Sequence, residues 1–468
     1  MPVKRLQSDC HNLRPDAIQM RSVSLLVLAC LLGGPVGQTA TTSAPRGCQI
    51  GNKNYYGWKA VSVSNPWITL MIVPQLGGRL MQVTFGGHDY LWVNDQLKGQ
   101  YFSPDISAAR KRWFNYGGDK IWPMPEGSSD EQHWPGAVGS RLDAGTYAAE
   151  ILSRDATCAV RLVGPPDPFT GQQYVRDISI GADSPVISFR AVMKNVSGYP
   201  QTWSEQSVSQ YTTEDPQNPG HANSDFWGLT PANPQSVYQN SYHVRTASAS
   251  SAGYTVRDGL FAVHTIDAAG EVWVDSPGEW LAVIDGATKY TMVERFRYQR
   301  SADYPGQATV IFYTTRPPGA QPTTQPSSPI FYMEAEINSP MVRLDPGATY
   351  AMDTQWFPTR MGSELTTATY AGVVGRPLSA VRTSDDLMLT GSFGAFFEGY
   401  LEVRFYDETG SRVGAKPVQE VRPTELVALQ QVIQAPAEAT RVSLHLIDRH
   451  GSDRGPLGEV TVTPRAAR

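Results

Sequence analysis

The segment Phe331-Tyr332-Met333-Glu334-Ala335-Glu336-Ile337 gathers the side chains best suited to chemistry. Read as a strand it alternates faces, so Tyr332, Glu334 and Glu336 share one side and Phe331, Met333, Ala335 and Ile337 the other. At about 3.3 Å of rise per residue the two carboxylates stand roughly 6.5–7 Å apart. Two carboxylates and a phenol on one sheet face can hold the hydroxyls of a polar ligand, or act as general base and general acid. The plainer reading is a solvated outer face whose glutamates discourage edge pairing. A second set arises if Thr202 to Tyr211 is a strand: Trp203, Glu205, Ser207 and Ser209 then fall on one side, Gln206 and Gln210 on the other. An indole beside a carboxylate and hydroxyls suits a pyranose, whose apolar face stacks on a ring while short polar groups take its hydroxyls. A tryptophan in a sandwich core is the competing use.

The third candidate is the run Trp113-Phe114-Asn115-Tyr116-Gly117-Gly118-Asp119-Lys120-Ile121-Trp122-Pro123. Paired glycines permit positive φ or close backbone approach, and Asp119 with Lys120 offers both signs of charge at a cleft. A tight turn capping the fold would use the same residues. The histidines, at 11, 88, 133, 221, 243, 264, 445 and 450, show no metal-ligand spacing, and only His133, beside Trp134, stands near the aromatic run. No dinucleotide fingerprint, phosphate loop or nucleophile elbow occurs, so the expectation is no metal and no cofactor.

These segments must be positioned by strands. Glycine (42) and proline (35) make up about one residue in six, a turn-rich balance. Runs rich in Val, Ile, Phe, Tyr and Thr recur at Trp67 to Val73, Arg79 to Phe85, Tyr90 to Val93, Tyr174 to Ile180, Val186 to Met193, Glu271 to Val274, Thr291 to Tyr298, Thr309 to Tyr313 and Ile330 to Ile337. Gly86-Gly87, Gly181 to Ser184 and Asp275 to Gly278 read as hairpin turns. No helical period is sustained. The fold class expected is all-β, a large antiparallel β-sandwich over residues 48–362, with Arg316 to Pro329 as a proline-rich surface excursion. All 11 tryptophans lie between Trp58 and Trp356, so composition shifts thereafter. Gly362 to Ala380 reads as a linker, and residues 380–465 as a small β-sandwich with strands at Met388 to Thr390, Tyr400 to Tyr406, Leu426 to Ile433, Thr440 to Ile447 and Glu459 to Val462.

With 468 residues, a net charge of −5 and no basic stripe, the chain is a poor partner for nucleic acid or an anionic membrane. Residues 1–40 contain an export-like segment, Met20 to Leu32, with a basic residue, an apolar run and then Gly33-Gly34-Pro35. Met20 is read as the true start, and the run is too short to span a membrane. Export to a bacterial periplasm, envelope or medium follows. Val27-Leu28-Ala29-Cys30 also fits a lipoprotein signal, which would make Cys30 a lipid anchor. In an oxidising compartment Cys48 and Cys158 could form one disulfide; two unpaired core cysteines is the other reading.

In motif order the chain resembles the galactose mutarotase-like (aldose 1-epimerase) superfamily, most closely its exported bacterial branch. Val73-Pro74-Gln75-Leu76-Gly77-Gly78-Arg79-Leu80 is similar to an early strand turn of that fold, and Asn115 to Lys120 to its sugar-site loop. Met333-Glu334-Ala335-Glu336, followed by Leu344-Asp345-Pro346-Gly347-Ala348-Thr349-Tyr350, is similar to the strand that carries the family's catalytic glutamate and to the turn after it. The resemblance implies Glu334 as base; together with the shared-face carboxylates and aromatics it supports a carbohydrate ligand held by Trp203, Lys120, Asp119, Asn115, Glu336, Tyr332 and Arg79. The family's acid is a histidine. The segment Thr202 to Gln210, where it should stand, has none, so Glu205 or His133 is the candidate acid if the chain is an enzyme. A sugar-binding protein needs no such acid, and a structural envelope protein is the third reading. The last region, with Leu389-Thr390-Gly391, Phe397-Glu398-Gly399 and Asp407-Glu408-Thr409-Gly410, resembles the immunoglobulin-like domain of bacterial spore-germination proteins.

Overall fold

The computed structural model describes residues 47–127, 133–245, 252–315, 330–383 and 386–462. The export-like segment with Cys30 and the Arg316 to Pro329 excursion lie outside the described residues. Among those residues the chain is nearly all strand, in antiparallel sheets of twelve, ten, five and four strands. The two large sheets stack as a sandwich around a core that includes Leu70, Phe85, Ile178, Phe189, Phe312 and Trp356. The two small sheets enclose a second core, with Leu387, Leu389, Phe393, Val403, Leu429 and Leu444. The all-β sandwich expected from the turn-rich sequence is what forms.

Six strands of the twelve-stranded sheet position the candidate site: β1 (Asp119–Met124), β2 (Gln201–Thr212), β3 (His243–Val244), β4 (Gly270–Val274), β5 (Val310–Thr314) and β6 (Tyr332–Asn338). They lie side by side in the order β1-β2-β6-β5-β4-β3. Odd-numbered residues of β2 and β6 face the ten-stranded sheet and even-numbered ones face outward, because successive side chains alternate.

The outer face of the ten-stranded sheet is covered. In its strand Trp280–Asp285, Leu281 and Val283 join the large core, while Trp280, Ala282 and Ile284 pack outward against Val373 and Phe396 of the small sandwich. A strand buried on both sides reads as a continuous apolar run, and this one shows no alternation in the sequence. Three expectations are corrected here. The Asp275 to Gly278 turn joins no hairpin, since β4 ends in one large sheet and Trp280–Asp285 begins in the other. Tyr90 to Val93 makes only isolated bridges, Leu91 to Tyr211 and Val93 to Gly117. Gly362 to Ala380 is no bare linker: Thr367–Ala368 and Gly372–Val374 pair with each other, and the second of them joins the five-stranded sheet.

Cys48 and Cys158 are joined by a disulfide, with Cα atoms 5.8 Å apart and 110 residues between them in sequence. The bridge ties the start of the described chain to the strand Thr157–Val163. Closing so long a loop stabilises chiefly by restricting the unfolded chain. Replacing both cysteines by alanine should therefore lower unfolding free energy by about 2–4 kcal/mol. Urea denaturation with and without reductant checks this, and an unchanged midpoint would contradict it.

Candidate functional site

Cross-strand pairing assembles a polar row and, beside it, a mixed row on the outer face of the twelve-stranded sheet. One runs Gln210, Glu334, Tyr313, Glu271, each the strand partner of the next, and ends at Arg245, whose amide bonds to the Glu271 carbonyl. The neighbouring row runs Lys120, Val208, Glu336, Ile311, Trp273, His243. The rows meet through diagonal contacts. Lys120 Nζ lies 3.4 Å from Glu334 Oε1, Gln210 Nε2 donates to the same oxygen at 2.7 Å, and Gln206 Nε2 donates to Glu336 Oε2 at 2.6 Å.

Burial sets the electrostatics. The Glu336 carboxyl is pushed well above the usual carboxylate range, by burial first and then by the charges of Glu334 and Glu271. Both shifts favour the protonated form of Glu336, whereas Glu334 faces the Lys120 ammonium. Burial pulls the Lys120 ammonium down, and Glu334 opposes that shift. At the rim Glu126, open to water on one side yet surrounded by protein, is pushed up to about 7 by burial and by Glu271 and Glu334. Gln210 Oε1 and Asn338 Oδ1 are buried acceptors without a donor among the described residues.

Aromatic rings wall this floor. Lys120 Nζ sits 4.4 Å from the Trp122 ring centroid and 5.8 Å from that of Trp113. Both indole N–H groups donate to Asp143, at 3.0 Å each, and Arg79 clamps Asp143 at 2.5 Å. At the other end Trp92 leans on Tyr332, centroids 4.7 Å apart, and Asn115 Nδ2 donates to the Tyr332 hydroxyl at 3.3 Å. The loop bearing Asn115 needs its glycines. Gly117 and Gly118 have φ of 91° and 73°, and a Cβ on Gly117 would stand 2.1 Å from the Trp92 carbonyl oxygen.

Of the residues singled out from sequence, Glu334, Glu336, Tyr332, Lys120 and Asn115 converge here. The others are corrected. Trp203 points between the sheets into the large core, its N–H donating to Gln201. Glu205 lies fully buried on the same side, and burial holds its carboxyl well above the carboxylate range. As an acid for chemistry beside Glu334 it is on the wrong face. Asp119 also points inward, to Arg176, Ser209 and Ser207. Arg79 has no exposed surface and is spent on Asp143 and the Gly117 carbonyl, so it orients the indoles and reaches no ligand. His133 lies in the rim loop beside Gly127 rather than on the sheet face. Sequence reasoning missed Gln206, Gln210, Glu126, Glu271 and Tyr313 as site members. The signal for the glutamines was present, since they were on the face opposite Trp203.

No protein-family model matches the sequence, and no curated protein matches it. Among solved structures the chain is similar to a galactose mutarotase-like protein from Clostridium acetobutylicum, at 10% identity over 68% of this chain and 100% of that one, TM-score 0.45. A galactose mutarotase-like protein from Lactobacillus casei matches at 10% identity over 64% and 99%, TM-score 0.43. A TPR-domain containing protein from Parabacteroides distasonis matches at 14% identity over 64% of this chain, TM-score 0.43; this chain spans 47% of that protein's length.

The inward polar residues predict a pH dependence of stability. Burial pushes Glu294, which accepts from the Tyr211 hydroxyl at 2.5 Å, up to about 8. In the unfolded chain a glutamate titrates near 4.3. The folded state thus binds the extra proton, and this contribution to stability is lost as pH rises from the unfolded value through about 8. Glu294→Gln keeps the acceptor and removes the proton. It should flatten the stability profile between pH 5 and 8 by about 1.4 kcal/mol per pH unit. Denaturant titrations across that range check it; parallel profiles for the two proteins would refute it.

Proposed function

We propose that this chain binds a carbohydrate on the outer face of the twelve-stranded sheet. The observation that carries the reading is the convergence of Lys120, Gln206, Gln210, Glu334 and Glu336 on one rigid sheet face between aromatic walls. Sugar hydroxyls both donate and accept. Glu334 offers an acceptor, while Lys120 and a Glu336 carboxyl pushed towards its protonated form offer donors. Trp122, Trp113 and Tyr313 offer ring surface for the C–H faces of a pyranose.

The raised Glu336 carboxyl favours a second reading, in which the bound sugar also reacts. In an aldose epimerisation the ion-paired Glu334 would take the anomeric hydroxyl proton as the ring oxygen receives one from Glu336. Positioned proton transfer of this kind contributes about 10²–10⁴-fold in rate. The export-like segment and the Cys48–Cys158 disulfide support an exported location, with Cys30 as a lipid anchor in one form of that proposal and the small sandwich as a spacing module.

Line broadening and anomer exchange of free aldoses, followed by NMR, test both readings. Wild type should broaden sugar signals, and Glu334→Gln should weaken binding at least about tenfold, a loss of some 1.4 kcal/mol. Glu336→Gln replaces the carboxyl by an isosteric amide that donates hydrogen bonds but transfers no proton, so it should spare binding and abolish any exchange above the buffer rate. Binding unaffected by either change would place the site elsewhere, and silence with every sugar would remove the reading.

A further inference from the structure

We infer that the ligand is an oligosaccharide rather than a single sugar, with a second binding pocket continuing the groove beyond Trp273; the inference rests on the carbohydrate reading above. A cavity of about 660 Å³ opens where loops leave β4 and enter β5, lined by Asn233, Asp275, Tyr298, Arg300, Asp303 and Gln307 among others. That volume is in the range of small-molecule sites. Its place follows from the ladder. Glu271, Trp273 and Asp275 step along one strand and its extension, as Tyr313, Ile311 and Thr309 do antiparallel to them. Glu334 is the partner of Tyr313 and Glu336 the partner of Ile311. Thr309, which lines the cavity, is therefore one rung past Glu336, a shift of roughly 6.5–7 Å along the strand.

Between the carboxylate row and the cavity stands Trp273, packed with Met124, Ala308 and Ile311. Trp273 packs its indole against Gly306 so closely that a Cβ there would overlap it, and Tyr238 donates to the Gly306 carbonyl at 2.5 Å. A ligand leaving the carboxylate floor would cross the edge of Trp273 to enter the cavity. The cavity's own rim is fixed. The Asp275 carboxylate accepts from Asn233 Nδ2, Ser236 Oγ and the Val237 amide at 2.7–3.0 Å, which holds the loop through 233–237 as a wall. Opposite it, Tyr298 and Tyr304 stack with centroids 6.0 Å apart. Arg300 and Asp303 sit exposed at the mouth, flanking Ser301, whose φ of 66° is a conformation L residues seldom adopt. Charges of both signs, amides and a ring face line the cavity, groups that together serve the hydroxyls and C–H faces of a polyhydroxyl ligand. The carbohydrate reading sets one sugar at Glu334 and Glu336, and this cavity lies one rung further along the strands, so linked sugars are the ligand that reaches both.

The test is affinity against chain length, by calorimetry on the described chain with its native disulfide. Glucose, galactose and mannose would be compared with their 1,4-linked di-, tri- and tetrasaccharides. One series should tighten by at least about tenfold from monosaccharide to trisaccharide, some 1.4 kcal/mol. The double variant Arg300→Ala, Asp303→Asn, both exposed and outside the sheets, should erase that gain and leave monosaccharide affinity unchanged. Tyr298→Ala should do the same. Monosaccharide binding that depends on Glu334 but shows no gain with length would overturn the extended groove alone. A length gain untouched by both variants would also overturn it, placing the second contact elsewhere. Absence of binding by every saccharide would overturn this inference together with the carbohydrate reading.

Discussion

Asp119 and Lys120 are neighbours in the chain, and each is a buried charge that needs a counter-ion on its own side of the same sheet. Lys120 turns outward to Glu334 and Asp119 inward to Arg176 of the ten-stranded sheet. Sliding β1 by one residue against β2 would exchange the two. The ammonium would then face a guanidinium between the sheets, and the aspartate would face carboxylates outside. Removing one partner of a buried pair costs about 3–5 kcal/mol, so a slip breaking both is heavily disfavoured. The register that places Lys120 beside Glu334 is thus held by charge as well as by backbone hydrogen bonds. The rows beyond it follow, since β2 carries β6, and β6 carries β5.

The same alternation explains what could be read from sequence. Tyr332, Glu334 and Glu336 were assigned to one face correctly because period two is a local property of a strand. Which face looks outward is not local. In β2 both faces are buried and both carry polar groups, so Trp203, Glu205 and two serines looked more like a site than two glutamines did. The inward set is instead a polar seam between the sheets, with Asp119, Arg176, Ser209, Tyr211 and Glu294 in contact. Glu126 had no local signal at all. It is brought to the rim by a parallel bridge to Trp134 and packs under Gly136, contacts between segments that no periodicity announces. Glu271 was read as the first residue of a strand, and its role depends on a strand order that skips from β2 to β6.

The two outer faces of the large sandwich have been used differently. On the ten-stranded sheet, Trp280, Ala282, Ile284, Val293 and Phe357 would form an exposed apolar patch if the small sandwich were absent. Large exposed patches of that kind mark interaction surfaces, and here the partner is the same chain. On the twelve-stranded sheet the corresponding face carries amides, carboxylates and a lysine, which gain nothing from an apolar cover and pair largely with one another. The small sandwich therefore rests on the side away from the polar floor.

The distribution of proton donors around Glu334 bears on what such a floor can do. Gln206 and Gln210 present N–H groups that position oxygens but do not titrate. Tyr332 is held well above its ordinary range by burial and by Glu334, so its hydroxyl keeps its proton. Lys120 is committed to Glu334. Glu336 remains, a protonated carboxyl two residues along the same strand, facing the same way, and already oriented by Gln206. The two-residue rise sets the Glu334 and Glu336 Cα atoms about 6.5–7 Å apart on one face. That span allows one proton to leave a ligand as another is delivered to a different atom of it. A sugar ring with its anomeric hydroxyl and ring oxygen presents both atoms at once, which joins the binding reading to the catalytic one on a single pair of side chains.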